Sequence, residues 1–461
     1  MNLDEFLASK EGLASYQILN EKSVFYSTRE EIQDRKINDT KFWGKLFDLS
    51  YQKVENLEDS IESTVVWKNS YDGSDIPAEE MNEWINDTVS RIKNLIGYNR
   101  DVLEIGCGNG LIFNSLIDNL SKYTGTDIAE KGLKIISSSS KGISHSNKIS
   151  LYQLDALDID KIPDHKYDLI IINSVAQYFP SVDYFLRVFK KLEQFASPKC
   201  HIFIGDIRSY ELQKLFYFDV IRKKNPEFHS DMLKQKIEQM ELRENETFYS
   251  MDFFKLVTSA FNYIKSCHFE LKKGRFNNEL NSYRYDVTLS CSASIESHLV
   301  NSVSWESLKA PEQDITHLLT QIGKNDIVEI TNIPNLRFKG LKDDYETIFG
   351  HQGNKAEERQ SEREKLNSPI VDFLNCIAVK HQILLQTDFA PGEIFKFKAQ
   401  FFASTARNQP FKLDLTNLGF ISNRYQERKT PYDNNFEEEL SEIFPEINPK
   451  KVSQILLEQF K

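Results

Sequence analysis

The chain has 461 residues, more than one ordinary domain holds, so two or three structural units are expected. Its 40% hydrophobic content, with 32 Phe and 19 Tyr, suffices for a sizeable core and excludes a mainly disordered chain. A net charge of −12 argues against a nucleic-acid partner, and five widely spaced Cys without a CxxC pair argue against a disulfide framework or a thiolate zinc site. Nine scattered His form no HExxH, so no metal is expected. MNLDEFLASK does not read as a signal peptide, and no apolar run reaches the ~20 residues that span a bilayer. The expectation is a cytoplasmic protein without a membrane partner.

Residues 1–60 are polar, with helical spacing at Phe6, Leu7 and Leu13 and again at Trp43, Leu46 and Phe47, which predicts a helical N-terminal segment. A clearer helix covers 78–96: Met81, Trp84, Ile85, Thr88, Ile92 and Leu95 share one stripe, and Pro77 stands at its start. Strands and helices then alternate. DVLEIG (101–106), YTGTDI (123–128), SLYQLDA (150–156), YDLIIINS (167–174) and HIFIGDI (201–207) read as strands, with helices over 109–120, 129–139 and 181–196. This alternation predicts a parallel sheet with helices on both faces, and the apolar run of 167–174 suits a strand buried on both sides. An antiparallel pair near 267–273 and 284–293 would complete the sheet. The charged stretch 354–366 reads as a solvated helix or a linker. One helix and one strand within 315–345, then a helix and two strands over 369–403, predict a second, smaller α+β unit. The expected division is a helical N-terminal lid segment (1–97), an α/β domain (98–297) and an accessory α+β region (298–461).

The most informative segment is VLEIGCGNG, residues 102–110. It places Gly106, Gly108 and Gly110 at the end of the first strand of the alternating region, with Glu104 ahead of them. Glycine there lets the chain turn tightly and lets a ligand lie on bare backbone. The dinucleotide fingerprint GxGxxG would need glycine at 111, which is Leu111, so a Rossmann-type oxidoreductase is disfavoured. Asp127 and Ile128 end the second strand, Asp155 and Ala156 the third, and Asn173 and Ser174 the fourth. Any one such Asp reads as a helix cap or turn residue. Four such elements at successive strand ends lie where open parallel sheets bind ligands.

Together these residues resemble the class I methyltransferases, which use S-adenosyl-L-methionine. The resemblance implies a Rossmann-like fold with a mostly parallel seven-stranded sheet. It also implies that the glycine loop holds the cofactor, that Asp127 takes the ribose hydroxyls, that Asp155-Ala156 contact the adenine and that Asn173-Ser174 lie beside the sulfonium. The match extends further. NSVAQYFPSVDYF (173–185), HIFIGDIRS (201–209), GRFNNELNSYRYDV (274–287), WKNSYDGSDIPAEEMNEW (67–84) and ITNIPNLRF (330–338) resemble the methyltransferase domains embedded in nonribosomal peptide synthetases. The resemblance implies natural-product chemistry, with the α-amino nitrogen of an amino acid or peptide as the favoured acceptor. O-methylation of a peptide carboxylate or a small-molecule hydroxyl is the alternative. No adenylation core or phosphopantetheine-serine motif is found within these residues. The substrate is therefore expected either free, as a small molecule, amino acid or peptide, or on a separate carrier protein.

Methyl transfer is an in-line displacement that mainly needs alignment and exclusion of water. Gln177 and Tyr178, just after the fourth strand, are expected to face the reacting methyl; Tyr178 either orients the nucleophile or packs under a lid. Asp206 and Arg208 follow the fifth strand and are either site residues or an internal ion pair. Glu79 and Glu80 are either proton acceptors or ordinary partners of the helix dipole. Trp67, Asn69 and Tyr71 are expected to form a lid, with Tyr71 on the methionine part. Arg275, Asn278, Glu279 and Tyr285 are expected along the substrate channel, and Cys107 as a small packing residue. A non-catalytic module that kept the fold, and a nucleic-acid methyltransferase, are competing readings. The intact glycine loop counts against the first. Asn173-Ser174-Val175-Ala176, in place of an acid/Asn-Pro-Pro-aromatic motif, counts against the second.

Overall fold

The computed structural model describes residues 3–10, 13–19, 23–28, 33–51, 68–96, 100–140, 148–292, 298–323, 326–349, 370–390, 393–402 and 431–451. Trp67 and the charged stretch 354–366 lie outside the described residues.

Seven strands form the central sheet: β3 (Arg100–Ile105), β4 (Leu120–Asp127), β5 (Ile149–Gln153), β6 (Tyr167–Asn173), β7 (Ala196–Arg208), β8 (Ser266–Leu271) and β9 (Arg284–Ser290), in the order β5-β4-β3-β6-β7-β9-β8. All pairs from β5 to β7 are parallel, and β9 runs antiparallel between β7 and β8. This is the predicted mostly parallel sheet. Leu169 to Ile172 in β6 are fully buried, as an unbroken apolar run at a sheet centre requires. Helix α3 (Ala78–Ile96) covers one face; Val89 and Ile92 pack on Val102, Leu169 and Phe203. Helix α6 (Val182–Phe195) covers the other, started by Ser181, whose hydroxyl caps the Tyr184 N–H.

Three helices without a counterpart in the sequence reading, α7 (Gln213–Lys224), α8 (Ser230–Arg243) and α9 (Met251–Ala260), fill the connection from β7 to β8. A second sheet joins β10 (His298–Ser304), β11 (Asp326–Pro334), β12 (Leu384–Ala390) and β13 (Glu393–Phe402) in the order β10-β11-β13-β12. It shares one core with the first sheet: the Thr387 hydroxyl accepts the Leu271 N–H at 2.7 Å, and Phe389 meets Tyr285 edge-on.

The N-terminal segment departs from the expected helical character. Helix α1 (Leu3–Ala8) is followed by a hairpin of β1 (Leu13–Leu19) and β2 (Ser23–Thr28), to which β14 (Asn448–Lys451) adds in parallel. Its strand partner stands near the far end of the sequence, so no local pattern announces it. Phe6 and Leu7 pack with Phe436 and Leu440 of the helix Pro431–Ile443. The predicted helix appears later, as α2 (Gln33–Tyr51). No helix among the described residues is long and apolar enough to cross a membrane.

Candidate functional site

A pocket of about 970 Å³, its open mouth included, lies at the carboxyl ends of β3, β4, β5 and β6. Its floor is the loop after β3. Gly106 donates its N–H to Thr126 O at 2.7 Å and sits at φ +75°; a Cβ there would stand 2.3 Å from Val175, so only glycine fits. Gly108, Gly110's neighbour Leu111, and Ile128 also line the pocket.

Asp127 ends β4 with both carboxylate oxygens in use: Oδ2 accepts the Gly108 N–H and Oδ1 the Ala129 N–H, each at 2.7 Å. Each oxygen keeps a further lone pair. Burial pushes this carboxyl up to about 6, against the two backbone donors. Glu104 is also buried and accepts the Tyr123 hydroxyl at 2.6 Å. Burial is the main cause that carries its carboxyl up to about 8; the Tyr123 bond opposes this and Asp127 adds to it. Asp155 caps the turn after β5 by accepting the Leu157 N–H at 2.9 Å, and receives the Tyr184 hydroxyl; Ala156 lies beside it. Asn173 lines the pocket with a buried Oδ1 that has no hydrogen-bond partner. Ser174 takes φ +56° and donates its hydroxyl to Asp206 at 2.6 Å.

The remaining sequence candidates, Tyr178 apart, fall behind or beside this pocket. Gln177 is buried and donates to Ser174 O at 3.1 Å, bracing the turn instead of lining the cavity. Asp206 lies beneath the site, where it accepts the Trp84 indole N–H at 2.9 Å and pairs with Arg284. Arg208 pairs with Glu246 and Glu244 and stacks on Phe248. Glu80 receives the Asn278 amide and does not line the pocket. Tyr71, expected on the methionine part, is placed elsewhere: its hydroxyl donates to Asp219 at 2.7 Å and its ring lies under Lys223. Of the channel candidates, Tyr285 is core, Arg275 is exposed on Glu79 and Glu83, and Asn278 caps a helical turn.

Helix α2 closes one side of the pocket. Trp43, Phe47 and Tyr51, one helical face at i, i+4 and i+8, wall the pocket. The helix is held by the Lys131 N–H to Asp48 at 2.9 Å and by Gly44 against Ile128. The sequence shows this stripe, but a core-facing helix has the same spacing. Tyr178 packs tilted against Trp43 at 4.5 Å and meets Phe47 edge-on at 5.3 Å, and these three side chains form a wall shared with a second cavity of about 810 Å³. That cavity is also lined by Lys68, Ser70, Arg208, Glu246, Glu279 and Arg284.

Sheet order, glycine loop and strand-end carboxylates define a class I methyltransferase domain that uses S-adenosyl-L-methionine. Residues 97–273 match the family model described as a methyltransferase domain. The chain is 30% identical over 332 residues to a nonribosomal peptide synthetase of Metarhizium robertsii and 32% identical over 311 residues to the cyclosporin synthetase of Tolypocladium inflatum. These matches cover 70% and 63% of this chain but only 4% and 2% of the two synthetases. Among solved structures, magnesium protoporphyrin IX methyltransferase of Synechocystis is similar over 55% of this chain and 96% of its own, with a TM-score of 0.36 and 11% identity.

The residues present fit this cofactor. Asp127 has lone pairs left for a diol, Asn173 has an unused acceptor, and Glu104 is a buried acid awaiting positive charge. Because a bound cation favours ionised Glu104, binding releases a proton wherever the free site is protonated. Affinity for adenosylhomocysteine, with its α-ammonium, is expected to rise at least about tenfold between pH 6 and 8 and to fall again above that, as the ammonium itself deprotonates. Calorimetry in two buffers of different ionisation heat reads the released proton. Trp43→Ala is expected to weaken the same binding about tenfold, whereas Tyr71→Phe leaves it unchanged.

Proposed function

We propose that the protein methylates an amine, the α-amino nitrogen of an amino acid or peptide presented free or on a carrier protein, in the cytoplasm. The charge balance of the second cavity carries this reading. Its three cations are already engaged: Arg208 with Glu246, Arg284 with Asp206 and Lys68 with Asp75. A free carboxylate entering there would meet Glu246 and Glu279 and no unengaged cation among the lining residues, whereas an amine finds acceptors. This favours nitrogen over carboxylate oxygen, and a substrate whose own carboxyl is masked. The peptide synthetases among the relatives support a peptide-like acceptor.

When bound, S-adenosylmethionine supplies an electrophilic methyl carbon. The chain's residues divide the remaining work. Asp127 holds the ribose hydroxyls, Asp155 and Ala156 the adenine side, and Glu104, Asn173 and Ser174 the charged end. Asp206 and Gln177 fix Ser174, while Trp43, Phe47 and Tyr178 keep water from the shared wall.

The test offers methyl-labelled S-adenosylmethionine with free amino acids, short peptides, their amides and carrier-loaded aminoacyl groups. Base-stable label on amines is expected. Label released by base as methanol would instead establish carboxyl O-methylation.

A further inference from the structure

We propose that Glu279 receives the acceptor's amine: its carboxylate binds the ammonium and takes the proton that must leave before nitrogen can attack. This rests on the amine reading above. Glu279 opens a short helical turn, Glu279–Ser282, is 6% exposed and lines the second cavity. Its Oε1 accepts the Ser70 N–H at 3.2 Å. The other lining carboxylate, Glu246, is taken by Arg208, and every lining cation is paired with another acid. Among the described residues Glu279 makes no salt bridge of its own, and Arg284, a cation that acts on it, is bonded to Asp206. A buried carboxylate whose neighbouring cation is shared with another acid is a place for a further positive charge, here in a cavity that shares a wall with the cofactor pocket.

The surroundings hold Glu279 in place. Arg337 donates to Phe276 O at 2.8 Å and Gly274 O at 2.7 Å, and Asp372 accepts the Gly274 N–H at 3.1 Å. The accessory α+β region thus buttresses the segment that carries Glu279. The titratable and charged groups that face it are Tyr71, Tyr283 and Arg284, with Asp219 behind the two tyrosine hydroxyls. Glu80 and Glu83 approach through Asn278 and Asn281, and Lys68, Arg208, Glu246 and Tyr178 complete the cavity.

An α-ammonium with a pKa of ~8 arrives mostly charged at neutral pH and has no lone pair to donate. Glu279 takes one proton. The freed lone pair forms the nitrogen–methyl bond, and the carbon–sulfur bond breaks with its electrons left on sulfur. The product is a methylated ammonium, and the proton on Glu279 passes to solvent.

Glu279→Gln tests this, because its amide oxygen still accepts the Ser70 N–H. Adenosylhomocysteine affinity is expected to stay as in the wild type. Binding of alaninamide at pH 6.5, with adenosylhomocysteine present, is expected to fall at least about tenfold. For an amine that the wild type methylates, kcat/KM is expected to drop about a hundredfold at pH 7 and to recover toward pH 9, where the amine arrives neutral. An unchanged alaninamide affinity, or a pH profile parallel to the wild type's, would overturn the assignment. A wild type that neither binds alaninamide nor methylates any amine would instead overturn the amine reading itself.

Discussion

Asp127→Ala is expected to weaken adenosylhomocysteine binding at least about a hundredfold, the largest loss from any one carboxylate of the pocket. Two effects add. The ribose diol loses hydrogen bonds to a charged acceptor, each worth about 1.5–3 kcal/mol in a buried setting. The Gly108 and Ala129 N–H groups, both donating to Asp127 at 2.7 Å, lose their acceptor together. The glycine loop then loses the contact that holds Gly108 against β4, so its cradle is no longer preformed. Asp127→Asn does not rescue it, because one of its two side-chain ends would present an N–H to another N–H. Calorimetry reads the affinity, and a thermal melt without ligand separates loss of the site from loss of the fold. An affinity within threefold of the wild type would mean that the ribose lies elsewhere.

The pocket at the strand ends is legible because each segment that lines it belongs to one local pattern, a buried strand followed by a turn. VLEIGCGNG, YTGTDI and YDLIIINS each carry strand, turn and ligand-facing residue within ten positions, so periodicity and glycine spacing suffice. The second cavity is assembled from segments far apart in sequence. Trp43 and Phe47 come from α2, Ser70 from the strap before α3, Glu246 from the loop after α8, and Glu279 from the turn before β9. No local pattern joins them. Helix α7 leaves no periodic signal for another reason: Leu215 to Ile221 are all buried, so it has no polar face and no helical period. The resemblance puts Tyr71 on the cofactor, whereas the local rule that a buried tyrosine hydroxyl seeks a partner is what Asp219 satisfies.

Asp206→Ala is expected to destabilise the fold by about 3–5 kcal/mol, the range for removing one partner from a buried ion pair. Asp206 is 1% exposed, at φ +64°, and its own N–H donates to Asp286 at 2.7 Å. Arg284 and Lys272 face it from β9 and from just beyond β8, so its loss leaves two cations with less negative charge than they need. Burial alone would raise its pKa. Arg284, Lys272 and the Ser174 and Trp84 donors outweigh that and hold the carboxyl below the usual range. An acid depressed in this way contributes stability that is full above its unfolded pKa, near 4, and is lost as pH falls through the folded value. The gap in melting temperature between wild type and Asp206→Ala should therefore be constant from pH 8 to about 5 and narrow below about 4. The same substitution removes a hydrogen-bond acceptor from Ser174 and from Trp84, both on the cofactor wall, so adenosylhomocysteine affinity should fall alongside stability. A variant that melts lower but binds the ligand as tightly as the wild type would show that Asp206 holds the sheet and not the site.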